Sequence, residues 1–272
     1  MPEIAEVETV RRTLKSQIIN KKIKKVAILY EKMVTPNPEL FIKELKNKEI
    51  TDILRRGKWL IFDLGQDYLF SHLRMEGKFF LKDQQMPVVK HEHVIITFTD
   101  NSELRYHDTR KFGRMLLVPK SENIIEIVTR QGFEPNDQNL TSKYLYAKLR
   151  NKSLAIKSIL LDQKIISGLG NIYANEVLYA AHINPWRRGK DLTLKECQRI
   201  IDASNQIIAQ AIELGGTTIK SYTSSLGVTG QFQQYLQVHQ REKTNCPNCG
   251  SIILRAKLNG RSTYYCPKCQ KK

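Results

Sequence analysis

The chain has 272 residues, of which 44 are Lys or Arg and 27 are Asp or Glu, giving a net charge of +17 and a pI of about 9.6. That length suits two modest domains. The excess of positive charge predicts a polyanionic partner, most simply nucleic acid. No apolar run approaches the roughly 18 residues of a membrane-spanning helix. An anionic membrane surface is the rival partner, but no basic amphipathic helix supports it. The start of the chain lacks the layout of a signal peptide, so we expect a cytoplasmic protein.

The first half of the chain is predicted to consist mainly of β-strands. An amphipathic helix over 2–19 comes first, because apolar residues from Val7 to Ile18 recur at every third or fourth position. A short helix is expected at 38–47. Closely spaced strands broken by Gly, Asp-Asn or Pro are typical of a sandwich or a barrel. The predicted strands are residues 23–30, 50–55, 59–64, 68–73, 78–82, 93–99, 103–107 and 114–118.

The second half is predicted to be helical. A domain boundary is expected near 133–140, a loop-rich linker at 215–245, and a small terminal module at 246–272. Strands followed by helices predict an α+β protein. Helical periodicity is present at residues 121–131, 141–150, 153–162, 171–181 and 193–214.

Four of the five cysteines lie in the last 24 residues, as Cys246-Pro-Asn-Cys249 and Cys266-Pro-Lys-Cys269. Two such pairs at this spacing predict one structural Zn²⁺ held by four thiolates on a β-hairpin, and two disulfides suit neither the spacing nor the compartment. Arg261 follows a glycine at the expected hairpin turn, where it is well placed for a phosphate. The fifth cysteine, Cys197, is expected to be a small buried hydrophobe.

The first eight residues allow catalysis by the chain terminus. Removal of Met1 would expose the secondary amine of Pro2, and an α-amino group with a pKa of roughly 8 can be a nucleophile near neutral pH. Glu3 and Glu6 lie one helical turn apart and can both serve that amine. The alternative is structural, since proline suits a first helical turn and acids suit the helix dipole. The stretch by itself leaves both interpretations open.

Two further stretches are typical of phosphate binding. Residues 166–173, Ile-Ser-Gly-Leu-Gly-Asn-Ile-Tyr, place a glycine loop directly before a helix, with Asn171 near its start. Gly-x-Gly loops also occur for tight packing alone, so this signal is weak. Residues 55–58, Arg-Arg-Gly-Lys, form a basic turn between two strands, and a solvated turn is the alternative there.

Two other stretches combine apolar and basic residues. Met75 lies among charged neighbours at a strand end. Arg110 and Phe112 alternate, so they would share one face of an extended segment. An apolar wedge beside an arginine suits insertion into a duplex from which a base has left. Each stretch alone is more typical of scaffold than of function.

Taken together, these motifs resemble bacterial formamidopyrimidine-DNA glycosylase, a bifunctional glycosylase and AP lyase that removes 8-oxoguanine and ring-opened purines. The resemblance covers essentially the whole chain in order. It rests on the opening Pro-Glu-x-x-Glu-Val-Glu-Thr, Arg-Arg-Gly-Lys at 55–58, His-Leu-Arg-Met-Glu-Gly at 72–77, Asp-x-Arg-Lys-Phe-Gly at 108–113, Gly-Leu-Gly-Asn-Ile-Tyr at 168–173, Gly-Gly-Thr-Thr at 215–218 and the four-cysteine finger.

The resemblance implies a fold and a set of partners. The partner would be double-stranded DNA that carries oxidised purines or abasic sites, bound by a monomer, with no membrane and with the bacterial nucleoid as its location. The DNA would lie in the cleft between the halves of the protein. The implied parts are an N-terminal β-sandwich catalytic domain with flanking helices at 1–135, a helix–two-turn–helix domain at 136–222, a lesion-capping loop and linker at 223–245, and a zinc finger at 246–272.

Site residues follow from the same resemblance. Pro2 would attack C1′ of the damaged nucleotide, Glu3 would protonate the sugar ring oxygen, and Glu6 would organise the site. Strand scission would follow by β- and then δ-elimination, with a loop at about 221–231 closing over the flipped base. Lys58 and Arg261 are further proton donors. The DNA-binding set is Lys58, Asn171 and Arg261 on phosphates, and Met75, Arg110 and Phe112 in the gap left by the base. His93 is a further DNA-binding residue, and Lys157 and Glu76 carry over more weakly to the neighbourhood of the lesion.

The chain departs from the family pattern at three places. Ala5 replaces a proline in the first helical turn, which removes no chemistry. His239 and Gln240 stand where a tyrosine and a glycine are usual, which puts contacts of that tyrosine in doubt. Asn175 stands where an acid is common.

Two other functions stay open. An endonuclease VIII-type enzyme would prefer oxidised pyrimidines, although the opening motif and the set of Met75, Arg110 and Phe112 favour the purine branch. A zinc-finger DNA-binding protein without catalysis would need only the finger and the charge. The presence of Pro2, Glu3 and Lys58 argues against it.

Overall fold

The computed structural model describes residues 1–217 and 230–271. These residues divide into two units: Met1–Thr129 with Gly215–Gly230, and Arg130–Leu214 with Gln231–Lys272. The predicted four-part division at 135, 222 and 245 stays a prediction. The predicted capping loop falls outside the described residues from 221 to 229. No helix in the described part of the chain is long and apolar enough to cross a bilayer.

The first unit is a sandwich of two sheets, which decides between the predicted sandwich and barrel. A four-stranded sheet has the order β1-β7-β8-β6, and a five-stranded sheet has the order β2-β9-β5-β4-β3. The strands are β1 Ile23–Ile28, β2 Val34–Thr35, β3 Asp52–Arg56, β4 Trp59–Asp63, β5 Asp67–His72, β6 Lys78–Asp83, β7 Glu92–Phe98, β8 Ser102–His107 and β9 Arg114–Pro119. All eight predicted strands are confirmed. The two-residue β2 was not predicted, because it is too short to show alternation.

Apolar side chains from both sheets share one core. Phe62 of β4 and Phe79 of β6 lie in different sheets, and their ring centroids are 5.6 Å apart. The helix α1, Ile4–Ile18, buries its apolar face in the same core, including Val7 and Leu14. Burying that face stabilises the sandwich and fixes the chain start against it.

Two shorter helices complete the first unit. Helix α2, Pro38–Leu45, begins where predicted, because the side chain of Asn37 accepts a hydrogen bond from Leu40 N at 3.0 Å and proline suits the first helical position. Helix α3 spans Ile124–Thr129.

The second unit carries helices and a hairpin. Its helices are α4 Ser142–Leu149, α5 Ile156–Leu160, α6 Asn171–Ala180 and α7 Leu194–Glu213. Strands β10, Leu254–Leu258, and β11, Arg261–Tyr265, pair antiparallel around Asn259-Gly260. Both turn residues have positive φ, 46° and 75°, as a two-residue hairpin turn requires. Cys197 is buried in α7, where burial raises the pKa of its thiol to about 11, so it is the inert core residue that the sequence predicts.

Candidate active site and nucleic-acid interface

The start of the chain is fixed by the carboxylate of Glu6. One oxygen accepts a hydrogen bond from Glu3 N at 2.8 Å. The other accepts from Thr217 N at 2.8 Å and Thr217 Oγ1 at 3.0 Å. A side chain at Gly216 would bring its Cβ to 2.8 Å from the same Glu6 oxygen. The Gly-Gly-Thr stretch is therefore packed against the first turn of α1, and Glu6 holds the two segments together.

The terminal amine lies among groups that can tune it. Burial lowers the pKa of the Met1 α-amino group, and Lys58 lowers it further, while the carboxylates of Glu3, Glu6 and Glu76 act in the opposite direction. Glu3, Glu6 and Lys58 are themselves buried. This amine belongs to Met1, and removal of Met1 would leave the nitrogen of buried Pro2 as the terminal amine directly before Glu3. A terminal amine whose pKa is lowered by burial is unprotonated for a larger fraction of the time near neutral pH, as nucleophilic attack requires.

Lys58 follows a tight turn between β3 and β4. Residues 55–58 are at the predicted turn, and Gly57 adopts φ +57°. Arg55 donates to the carbonyl oxygen of Gly57 at 3.0 Å. The turn thus presents Lys58 from the same unit that carries the chain start.

His72 is a site residue to which the sequence analysis gave no role. Its Nδ1 accepts a hydrogen bond from Arg74 N at 3.0 Å, and its ring meets the Trp59 ring edge-on at 4.9 Å. Burial, with Arg74 and Lys58 nearby, lowers the pKa of His72 to about 3. The ring is therefore neutral at physiological pH with its hydrogen on Nε2. Its place in the His-Leu-Arg-Met stretch was the available signal.

The loops with Met75 and Phe112 meet around one buried tyrosine. A Cβ at Gly77 or Gly113 would come within 2.0 Å or 1.9 Å of the Tyr106 hydroxyl oxygen, so only glycine fits at either position. Thr109 donates a hydrogen bond to Glu76 across the two loops. A cavity of about 430 Å³ between them is lined by Met1, Arg74, Met75, Arg110, Phe112 and Arg114.

The expectation of an extended segment at 110–112 is wrong in its backbone. Lys111 has φ 58°, and the segment is a turn in which the Asp108 carboxylate accepts hydrogen bonds from Arg110 N at 3.0 Å and from Gly113 N at 2.8 Å. Arg110 and Phe112 nevertheless share a face, because the guanidinium carbon lies 4.7 Å from the ring centroid. The ring of Phe112 is 47% exposed, which suits contact with a partner. His93 supports this loop, since its Nε2 lies 2.9 Å from the Asp108 carbonyl oxygen.

In the second unit, the glycine loop and the hairpin converge on one carbonyl oxygen. The loop ends at Gly170, the N-cap of α6. Ser262 O accepts from Asn171 Nδ2 at 3.1 Å and from Lys157 Nζ at 2.9 Å, and Lys157 also donates to Thr263 Oγ1 at 2.8 Å. Lys157 is completely buried. The structure therefore brings Asn171 and Lys157 to the turn end of the hairpin, next to Arg261.

The four finger cysteines form a metal site. Their sulfur atoms all lie within 4.8 Å of one another, with 3.9 Å between Cys246 and Cys269 and 3.4 Å between Cys249 and Cys266. Tetrahedral Zn²⁺ with bonds of about 2.3 Å needs sulfurs about 3.8 Å apart, so the cluster fits one zinc ion. Burial raises the pKa of Tyr179, whose hydroxyl lies 3.2 Å from the sulfur of Cys246 and can donate to a thiolate there.

Three family models match this chain. They are the N-terminal domain of formamidopyrimidine-DNA glycosylase at residues 1–115, its H2TH domain at 131–223, and a zinc finger found in FPG and IleRS at 245–272. The chain belongs to the formamidopyrimidine-DNA glycosylase family. Relatives of that name from Lactobacillus delbrueckii subsp. bulgaricus and Listeria monocytogenes serotype 4b are each 43% identical to it, over the full length of both chains.

Solved glycosylase structures are equally similar in fold. A Lactococcus lactis Fpg complex with DNA containing an abasic site has a TM-score of 0.93 and 39% identity, covering 99% of this chain and 100% of that one. A complex of a variant of that enzyme with Fapy-dG DNA has a TM-score of 0.94 at 39% identity, covering both chains fully. A complex of the wild-type Lactococcus lactis enzyme with DNA that contains an oxidised pyrimidine has a TM-score of 0.93 and 39% identity, covering both chains fully.

Two of the three departures from the glycosylase pattern lie in contact. Asn175 Nδ2 is 2.8 Å from His239 Nδ1 inside the second unit. The His239 ring also packs on the Tyr264 ring, with centroids 4.9 Å apart. The third departure, Ala5, is buried in α1, and its carbonyl oxygen accepts from Thr9 Oγ1 at 3.0 Å.

Proposed function

We propose that this protein acts in base-excision DNA repair as a glycosylase and AP lyase that removes oxidised purines, namely 8-oxoguanine and formamidopyrimidines. The observation that carries this proposal is the chain start, where buried Pro2 and Glu3 are followed on the same helix by buried Glu6, with Lys58 also buried in the same unit. The names of the relatives and the Lactococcus lactis complexes with abasic and Fapy-dG DNA support the same reaction.

The reaction begins once Met1 has been removed. The nitrogen of Pro2 attacks C1′ of the damaged nucleotide and the bond to the base breaks. Glu3 gives a proton to the ring oxygen, which opens the sugar and leaves an iminium, or Schiff base, on Pro2. The positive charge of that iminium acidifies the neighbouring C–H bonds, so β-elimination expels the 3′ phosphate and δ-elimination expels the 5′ phosphate. Lys58 and Arg261 supply further protons, and Glu6 keeps the first turn of α1 in place.

DNA binding uses residues from both units. Lys58, Asn171 and Arg261 bind phosphates. Met75, Arg110 and Phe112 fill the gap left by the extruded nucleotide, and His93 holds their loop. We infer that Lys157 contributes by fixing the hairpin of Arg261, because its ammonium group is bonded to Ser262 and Thr263.

The remaining properties follow from this assignment. One structural zinc ion in the cysteine cluster stabilises the finger, and closed four-thiolate coordination leaves no position for catalysis. The protein acts as a monomer in the bacterial cytoplasm, where its DNA substrate places it at the nucleoid. With a net charge of +17, its affinity for DNA falls steeply as salt rises.

Borohydride trapping tests the mechanism. The mature protein, whose N-terminus is checked by mass spectrometry, is incubated with a duplex containing 8-oxoguanine opposite cytosine. A covalent adduct on the peptide that begins with Pro2 is expected. A matched protein with a residue fused before Pro2 is expected to bind the duplex but to form no adduct. An adduct on an internal lysine, or cleavage by the blocked protein, would show that the nucleophile is misassigned.

A second experiment tests which class of lesion the protein removes, because a Lactococcus lactis relative binds DNA with an oxidised pyrimidine. Duplexes with 8-oxoguanine and with thymine glycol are cleaved side by side under single-turnover conditions. Faster cleavage of the purine lesion is expected. Preference for thymine glycol would instead assign the chain an endonuclease VIII-type specificity.

A further inference from the structure

Glu8, one and a half turns after Glu3 on α1, touches three arginines. Its Oε1 accepts from Arg11 at 2.8 Å and Arg12 at 2.9 Å. Its Oε2 accepts from Arg11 and from Arg55, each at 3.0 Å. Only 10% of the Glu8 side chain is exposed. A carboxylate that is this buried and holds three guanidinium groups joins separate segments far more firmly than a surface ion pair does.

Two of the three arginines continue the connection into the β-sheet. Arg11 donates through its NH1 to the carbonyl oxygen of Ile53, at 3.2 Å, on β3. Arg55 donates through its NH1 to the carbonyl oxygen of Gly57, at 3.0 Å. Gly57 is the turn residue directly before Lys58. A chain of hydrogen bonds therefore runs from the helix that begins at Glu3 to the turn that presents Lys58.

We propose that Glu8 is a positioning residue. By accepting a hydrogen bond from Arg55, it fixes the position of the Lys58 turn relative to the first turn of α1. The inference rests on the proposed function, in which Pro2, Glu3 and Lys58 act on one nucleotide. Those groups come from two elements, and their separation depends on how α1 is fixed to the β3–β4 turn. An error of about 1 Å in such an arrangement can cost a large factor in rate.

Arg12 provides a matched control. It binds the same Glu8 oxygen as Arg11, but its side chain is 59% exposed. Its hydrogen bond to Glu8 stays within α1 and does not lead to the sheet. Replacing Arg12 removes one ion pair from Glu8 without cutting the connection to the turn. Replacing Arg55 cuts that connection and leaves Glu8 with two partners on α1.

The experiment uses the full-length zinc-loaded protein with processed Pro2 and a duplex containing a preformed abasic site. Strand-cleavage rate constants and half-saturating enzyme concentrations are measured under single-turnover conditions for wild type, Glu8→Gln, Arg55→Gln, the double variant and Arg12→Gln. Glu8→Gln and Arg55→Gln are each expected to lower the rate constant on the order of tenfold, with half-saturation changed by less than about twofold. The double variant is expected to lose no more than the worse single variant, because both changes break one connection.

Arg12→Gln is expected to stay within about twofold of wild type. Arg55→Lys is a further arm: a lysine lacks the planar fork that reaches both Glu8 and Gly57, so it should not restore the rate. Each variant is assayed well below its unfolding temperature, so a rate loss cannot come from unfolded protein.

The outcomes separate this inference from the proposed function. Wild-type protein that neither cleaves nor is trapped on abasic DNA refutes the function. Active wild type with Glu8→Gln and Arg55→Gln at full rate refutes the positioning role. Losses that multiply in the double variant would show that Glu8 and Arg55 act independently, and an equal loss in Arg12→Gln would show that the link to the turn is not the cause. Either result would also overturn the positioning role.

Discussion

The packing around Tyr106 gives a sharp test of how the site loops are held. Alanine at Gly113 would put its Cβ 1.9 Å from the Tyr106 hydroxyl oxygen, 2.7 Å from Cζ and 3.0 Å from Cε1. A carbon atom at ordinary contact needs about 3.5 Å, so the ring or the loop must move by at least ~1 Å. Gly113 has no left-handed φ, so this contact is the whole cost of the substitution.

Overpacking of this kind costs about 1–3 kcal/mol, which for a protein of this size lowers the unfolding temperature by about 2–4 °C for each kcal/mol. Thermal unfolding of Gly113→Ala is therefore expected about 2–12 °C below wild type. Cleavage of 8-oxoguanine duplex should fall as well, because the shifted loop carries Arg110 and Phe112.

A second glycine supplies the control. The three atoms nearest a Cβ at Gly113 all belong to the Tyr106 side chain, whereas a Cβ at Gly77 also meets the backbone oxygen of Leu73 at 2.6 Å. In a Tyr106→Leu background, Gly113→Ala should become nearly neutral while Gly77→Ala stays costly. Equal rescue at both positions, or a Gly113→Ala protein as stable and active as wild type, would refute this account of the packing.

Three further results are expected. Cys246→Ser, or chelation of wild type, should lower the zinc content from one ion per chain and weaken DNA binding, because the metal supplies the folding energy of the finger. Metal analysis and a binding titration measure the two effects. Unchanged binding by metal-free protein would contradict this. The arginines lower the pKa of Glu8 to about 2 from 4.5. Wild type should therefore exceed Glu8→Gln in unfolding free energy by about 1–2 kcal/mol above pH 4.5, and this difference should vanish as pH falls through about 2. A difference that persists in acid would count against the ion cluster. The pKa of His72 is lowered to about 3 from 6.5. In denaturant titrations, wild type should therefore lose stability relative to His72→Gln as pH falls from 6.5 towards 3. Parallel pH curves for the two proteins would show that His72 is not buried as a neutral ring.

Local patterns were enough to predict most elements and the metal cluster. Alternation and turn residues identified the strands, because each strand of the sandwich buries one face. The cysteine spacing identified the finger, since both halves of the site lie within one short stretch of sequence. The turn at 55–58 could also be predicted, because Gly57, between two β-rich runs, suits a left-handed backbone conformation.

Contacts between distant segments could not be predicted in the same way. Glu6 binds Thr217, which lies 211 residues away, and no local pattern indicates that pairing. Lys157 is buried and donates a hydrogen bond to a carbonyl oxygen 105 residues away, although a lysine in a helix is ordinarily expected to be exposed. The left-handed Lys111 was missed because the alternation of Arg110 and Phe112 is equally compatible with an extended strand and with a turn.

The departures at 175 and 239 also involve a contact between distant segments that the sequence does not reveal. Considered singly, each weakens the resemblance to the glycosylase family, in which an acid and a tyrosine are common there. In the structure the Asn175 amide donates to His239 Nδ1, and its oxygen lies 3.5 Å from Tyr264 N. A carboxylate at 175 would set an acceptor against the unprotonated ring nitrogen, which burial keeps neutral by lowering the pKa of His239 to about 4. An amide is complementary to that ring, so Asn175 and His239 suit each other where α6 packs against the finger.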